Sequence, residues 1–299
     1  TAAPLARRPV TPEDPLRVHV AGDSFAEPLG YQLATYATRD RLLSIGMDFR
    51  ISTGLVRRDY FDWQARMVET LAAPTPPEVV VFFLGANEDQ NIEVDDAVLL
   101  MGTEAWQDEY ERRAGALMDL FEAPGIALVW VGMPDMRDPD MVAAMTALTR
   151  AVESAARARP WVTLIDTRPL FRGPDGGFAA FLPSPTGELV RMRGEDGIHL
   201  TRPGTNLVAE RVYALLERSW DLRTPTPTPT ATATPTPTPS PTASATPTAS
   251  PSGAPGPSPT SAPRPGGGAG ERDQGEGAAP AAGTQRYRPS PSPSSPAGR

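Results

Sequence analysis

Apolar residues between positions 16 and 220 follow two alternating periods, and their alternation predicts the fold. Residues 16–21 carry β-branched residues with alternating polarity and read as a strand. After Gly22, the residues Glu27, Leu29, Leu33, Ala34 and Ala37 read as a helix to about Arg39. Residues 47–52 predict a second strand, and Phe61, Ala65, Val68 and Leu71 a helix over 60–72 that Pro74-Thr75-Pro76-Pro77 ends. Residues 78–84 hold the unbroken run Val79-Val80-Val81-Phe82-Phe83, the pattern of a centre strand buried on both faces. A polar loop after Gly85-Ala86-Asn87-Glu88 leads to a helix near 104–122. Residues 126–131 predict a fourth strand, 140–158 a helix, and 162–166 a fifth strand. A long Gly/Pro-containing loop over 167–194 then precedes a last helix, opened by Pro203 and spanning about 205–220.

Strand and helix alternate five times, which predicts an α/β fold: a five-stranded parallel sheet with helices on both faces. Ligands of such sheets bind beyond the carboxyl ends of the strands. Ser24 falls after strand one, Gly54 after strand two and Asn87 after strand three. The strands were placed without reference to these residues, so their shared position is informative.

Composition divides the 299 residues. Residues 1–15 are Pro-rich and read as an extended arm, 16–223 as one domain, and 224–299 as a disordered tail. That tail is almost all Thr, Pro, Ser, Ala and Gly, and it cannot bury enough surface to offset its ordering entropy. The alternation of Pro with Thr, Ser and Ala over 224–248 predicts a polyproline II spacer. Its Ser/Thr density suits O-glycosylation on a secreted stalk; a cytoplasmic tail is the alternative. The chain opens Thr1-Ala2-Ala3-Pro4, without Met or signal sequence, and is expected to be a mature or trimmed product. An extracellular or cell-envelope location follows as the expectation, with membrane contact only through a leader or anchor outside this sequence. No signal for oligomeric state is legible.

The formal net charge is −8, and residues 1–223 carry 23 Arg against 33 Asp and Glu. An acidic globule without a basic stripe is a poor nucleic-acid binder. The absence of Lys excludes Schiff-base chemistry and a P-loop lysine. The absence of Cys excludes disulfides, thiolate catalysis and Cys-ligated zinc. With two distant histidines, neither a metal site nor a cofactor is implied.

What remains is a serine at a strand-to-helix turn. Such a turn exposes the Ser24 hydroxyl and places its N–H in the first turn of a helix, where free N–H groups favour negative charge. Simple helix capping by Asp23 or Ser24 is the alternative. A serine nucleophile needs a base and a carboxylate that orients it. His19 lies inside strand one and reads as packing. His199 lies in a loop three residues after Asp196, and the turn Asp196-Gly197-Ile198-His199 lets the carboxylate reach Nδ1, leaving Nε2 for Ser24. Taken alone, His199 could be a surface loop histidine and Asp196 a turn residue. Oxyanion donors are offered by the N–H groups of Ser24 and Gly54 and the Asn87 amide. A turn glycine and a loop-capping asparagine are the alternatives there.

In this order, Gly22-Asp23-Ser24, Gly54, Gly85-Ala86-Asn87 and Asp196-Gly197-Ile198-His199 resemble the SGNH (GDSL-like) hydrolase superfamily. The resemblance spans about residues 16–220. It implies a flavodoxin-like three-layer sandwich and ester hydrolysis or acyl transfer. It makes Ser24 the nucleophile, His199 the base, Asp196 its orienter, and Ser24, Gly54 and Asn87 the oxyanion donors. The stretches Ser52-Thr53-Gly54-Leu55-Val56-Arg57 and Trp130-Val131-Gly132-Met133-Pro134 look like an uncharacterised bacterial envelope subfamily. One departure concerns the third block, commonly Gly-x-Asn-Asp: here Glu88 follows Asn87, and its longer acid bears on loop geometry and substrate fit.

Arg57, Arg58, Asp59, Gln90 and Arg137 are expected to ring the same mouth. Of these, Arg57, Asp59, Gln90 and Arg137 are the candidate substrate-binding residues. An Arg pair there suits an anionic substrate; surface salt bridges are the alternative. Three functions remain in play: a serine esterase or acyltransferase for small O-acyl esters, such as O-acetyl groups on envelope glycans; a lipase or thioesterase; and a non-catalytic glycan-binding module.

Overall fold

A computed structural model describes residues 8–122 and 126–222. The unbroken apolar run becomes β3 (Val79–Phe83), buried at every position, at the centre of the main sheet. In chain order the elements are β1 (Leu16–Gly22), α1 (Ala26–Asp40), β2 (Leu43–Phe49), a 3-10 turn (Leu55–Arg57), α2 (Trp63–Leu71), β3, β4 (Ile92–Val94), β5 (Ala97–Leu99), α3 (Glu104–Asp119), β6 (Ala127–Val131), α4 (Pro139–Ala156), β7 (Val162–Ile165), α5 (Arg168–Phe171), β8 (Phe181–Pro183), β9 (Leu189–Arg191) and α6 (Arg202–Ser219). The main sheet is parallel in the order β2-β1-β3-β6-β7. Counting only its five strands, this is the flavodoxin-like order, in which the chain changes direction of winding between β1 and β3.

Alternate side chains of the sheet serve two helical layers. On one face α1 lies over β1 and β2, where Gly30 approaches Met47 and Val20, and packs on α6. On the other, Trp63 of α2 meets Phe82 edge-on at 5.4 Å, Phe82 meets Trp130 at 5.1 Å, and α3 packs on α4. Side chains cap four of the helices, Asp62 on α2, Thr103 on α3, Asp138 on α4 and Thr201 on α6, each contributing about 1 kcal/mol.

Three expectations shift. The second strand runs over Leu43–Phe49, not 47–52, because Leu16 pairs with Leu43 at the start of the ladder, while Ile51 is exposed and Ser52 turns left-handed at φ 60°. The polar loop after Asn87 contains the hairpin β4-β5. The loop over 167–194 contains α5 and the hairpin β8-β9, whose turn closes through Gly187 at φ 85° with its N–H on the Ser184 carbonyl at 2.8 Å. Short three-residue strands leave too little periodicity to read from sequence. Of the N-terminal arm, residues 8–15 are described, and Arg8 ties them to Glu78 at 2.7 Å. The expected disordered tail over 224–299 lies outside the described residues.

Candidate active site

Gly22 ends β1 where the sheet changes direction of winding. Its φ of 145° is a glycine conformation, and a Cβ there would be driven into the Phe83 carbonyl of β3. Glycine therefore lets β1 hug β3 up to the turn, and the Asp23 N–H donates to Phe83 O at 3.3 Å. The Asp23 side chain is fully buried. One oxygen accepts the Phe25 N–H (2.9 Å), the other the N–H groups of Gly85 (3.0 Å) and Ala86 (3.1 Å). Asp23 thus ties the loop after β1 to the loop after β3. Burial raises its carboxyl above the usual range, against the pull of those N–H donors.

Ser24 is half-buried at the start of α1. Its Oγ lies 2.8 Å from His199 Nε2, although 175 residues separate the two. His199 Nδ1 lies 2.7 Å from Asp196 Oδ2. The other oxygen of Asp196 accepts the N–H groups of Ile198 (2.8 Å) and His199 (3.0 Å), which fixes the carboxylate in the turn. Partial burial would raise the Asp196 carboxyl, but the hydrogen bonds from His199 and the two N–H groups outweigh it and hold it low. Phe25 stacks on one face of the imidazole at 5.2 Å. Serine, imidazole and carboxylate stand in the order that lets Nε2 take the serine proton while Asp196 holds the Nδ1 proton. His19 takes no part. It sits in β1 with its ring over Gly46 and its buried Nε2 without a partner among the described residues.

Among the described residues, the N–H groups of Ser24 and Gly54 have no acceptor. Asn87 is more committed: its amide donates to Thr53 O at 3.0 Å and, more loosely, to Asp23 Oδ2 at 3.4 Å. It links the loop after β3 to the loop after β2 and to the turn after β1.

The four candidate substrate residues divide. Arg57, Asp59 and Gln90 line one polar groove beside the Gly54 and Asn87 loops, together with Arg58 and Asp89. The arginines there are not a free pair: Arg57 binds Asp59 at 2.8 Å and Arg58 binds Asp62 at 2.7 Å. Gln90 donates to the Asn87 carbonyl at 2.6 Å. Arg137 lies in the loop after β6 and faces the His199 loop, its guanidinium donating to Glu195 O at 2.9 Å and its backbone N–H to Gly197 O at 3.1 Å.

Several organising residues escaped the sequence reading. Arg193 is wholly buried between α5 and the His199 loop. It donates to Asp135 O at 2.6 Å and Ile198 O at 2.7 Å and stacks on Phe178 at 4.9 Å. Burial pushes its guanidinium down to about 10. Nothing in its sequence context marks it. Asp23 lay in plain view within the Gly-Asp-Ser block, but only the fold shows what it joins.

Residues 17–215 match the model of one protein family, described as a protein of unknown function (DUF459). No curated protein matches the sequence. Among solved structures, an acetyl xylan esterase, AlAXEase, is similar at 16% identity over 67% of this chain and 100% of its own, with a TM-score of 0.48. A GDSL-like lipase from Bacteroides thetaiotaomicron is similar at 14% identity over 68% of this chain and 88% of its own, TM-score 0.48. TesA is similar at 16% identity over 68% and 99%, TM-score 0.47.

Proposed function

This chain belongs to the DUF459 family of unknown function, and we propose that it is a serine ester hydrolase or acyltransferase acting through an acyl-enzyme on Ser24. The observation that carries this is the pair of contacts from Ser24 Oγ to His199 and from His199 to Asp196, set beside two N–H groups without acceptors among the described residues. His199 Nε2 takes the Ser24 proton as Oγ adds to the ester carbonyl. The N–H groups of Ser24 and Gly54 receive the oxyanion, joined by the Asn87 N–H now held loosely at 3.4 Å. Asp196 holds the imidazole tautomer and stabilises the imidazolium. His199 then protonates the leaving alcohol, and water or an acceptor hydroxyl releases the acyl group.

The walls support one substrate class within this proposal. Beside the oxyanion loop lies the groove of Arg57, Asp59 and Gln90, polar and of mixed charge. Such a wall suits a hydroxyl-rich alcohol carrying a small acyl group, as in an O-acetylated glycan, better than a long acyl chain. Envelope or extracellular action is part of this proposal and rests on the composition of the tail. Turnover of p-nitrophenyl acetate, butyrate and palmitate tests the reading. It expects acetate to be preferred and Ser24→Ala to be inactive on all three. Palmitate preference would move the assignment to a lipase or thioesterase. Activity retained in Ser24→Ala would end it.

A further inference from the structure

Glu88 stands one position after Asn87, and its side chain crosses to the loop after β2. It is fully buried. One carboxylate oxygen accepts the Leu55 N–H at 2.7 Å and the Tyr110 hydroxyl at 2.8 Å; the other accepts the Val56 N–H at 3.0 Å. From the opposite side Arg113 of α3, itself buried, donates to the carbonyls of Leu55 (2.7 Å) and Val56 (3.0 Å). Leu55 and Val56, the two residues just after Gly54, are therefore each held at both polar groups, N–H by the carboxylate and C=O by the guanidinium. Gly54 itself lies so close that an added Cβ would stand 2.6 Å from Glu88 Oε2. The proposed nucleophile, base and orienter use none of these groups.

We propose that Glu88, braced by Arg113 and Tyr110, is a positioning residue that fixes the Gly54 N–H as an oxyanion donor. This rests on the esterase reading above. An acid one methylene longer than aspartate is what spans from the β3 loop to two successive N–H groups of the β2 loop. The device works only while both oxygens accept. Protonation would remove the negative charge shared by the Leu55, Val56 and Tyr110 donors and weaken that grip. The charged and titratable groups around the carboxylate are Tyr110 and Arg113 from α3 and Asp23 from the turn after β1. Burial raises the Glu88 carboxyl to about 7, so the gripping form is gained as pH rises through neutrality.

The test compares wild type, Glu88→Gln and Tyr110→Phe in p-nitrophenyl acetate turnover and fluorophosphonate labelling. A displaced oxyanion donor is felt in the chemical step, so Glu88→Gln should lower kcat about 10- to 100-fold with KM within about twofold. The probe adduct should persist, because Ser24, His199 and Asp196 are untouched. Tyr110→Phe removes a hydrogen bond that favours the carboxylate. It should move the acid limb of the kcat profile to higher pH, with a smaller loss at the plateau than Glu88→Gln shows. A kcat for folded Glu88→Gln within about threefold of wild type, or an effect confined to KM, would overturn the proposal. If Glu88→Gln does not fold, Tyr110→Phe decides, and an unmoved acid limb overturns it. Wild type with neither adduct nor turnover would instead sink the esterase reading itself.

Discussion

Gly54→Ala is the most pointed perturbation of this site. A methyl at Gly54 would meet the Glu88 carboxylate, with Oε2 at 2.6 Å and Cδ at 2.9 Å, where ordinary contact begins at 3.4 Å. About 0.8 Å of separation must therefore be found, and the carboxylate is poorly placed to give it. It is buried and held by Leu55, Val56 and Tyr110. Backbone conformation does not resist the change, because Gly54 is extended at φ −164°, ψ 166°. The strain is thus steric and falls on the loop that carries the proposed oxyanion N–H. A displacement approaching 1 Å at a reacting group costs up to about 100-fold, so kcat should fall roughly 10- to 100-fold with KM little changed. Stability should drop by about 1–3 kcal/mol, the ordinary cost of overpacking. Steady-state kinetics on p-nitrophenyl acetate beside urea unfolding reads both. Shortening the acid opens the same space, so Gly54→Ala with Glu88→Asp should be clearly non-additive. A Gly54→Ala enzyme with wild-type kcat, or two substitutions that simply add, would show that the Glu88 contact does not set the position of the Gly54 N–H.

Asp196→Asn keeps an oxygen for the Ile198 and His199 N–H groups but turns an amide donor toward His199 Nδ1. The imidazole is forced into the wrong tautomer, and kcat should fall by up to about ten-thousand-fold with unfolding nearly unchanged; a loss below tenfold would contradict the assigned role. Arg193→Met leaves the Asp135 and Ile198 carbonyls without their buried donor. It should cost about 3 kcal/mol in urea unfolding, and a cost below about 1 would show that the guanidinium does not hold the His199 loop. The Glu88 carboxyl, raised by burial from 4.5 to about 7, binds its proton more readily in the folded chain than in the unfolded one. Its contribution to stability is therefore full below pH 4.5 and lost as pH rises through about 7, a change on the order of 3 kcal/mol. Unfolding midpoints between pH 4.5 and 8 should fall in wild type relative to Glu88→Gln, and parallel curves would contradict the buried charge.

The parallel sheet was legible because long elements carry long periods. Val79–Phe83 is apolar throughout and rich in β-branched residues, the pattern of a doubly covered strand. Ser24, Asp196 and His199 were legible because their spacing survives as local geometry: a strand-to-helix turn and a three-residue turn. The second strand was misplaced because it lies at the sheet edge, where burial is partial and its pattern is mixed. The hairpins β4-β5 and β8-β9 stayed hidden because three-residue strands are set by cross-strand pairing rather than by composition. The roles of Asp23, Glu88, Arg113 and Arg193 are long-range. Each binds backbone of a segment remote in sequence, so a charged side chain serves a loop it cannot be seen to touch in one dimension. Glu88 was the nearest to visible, as an acid longer than the pattern it resembles. The arginines after Gly54 look in sequence like a pair open to an anion, yet each is closed on a nearby aspartate.

Every role proposed for this site depends on Ser24 being a nucleophile activated by His199. Intact mass after exposure to a fluorophosphonate, for wild type and Ser24→Ala side by side, tests it most directly. One adduct is expected on the wild-type chain and none on the variant, with both proteins folded. An unlabelled wild type, or an adduct that survives Ser24→Ala, would contradict it.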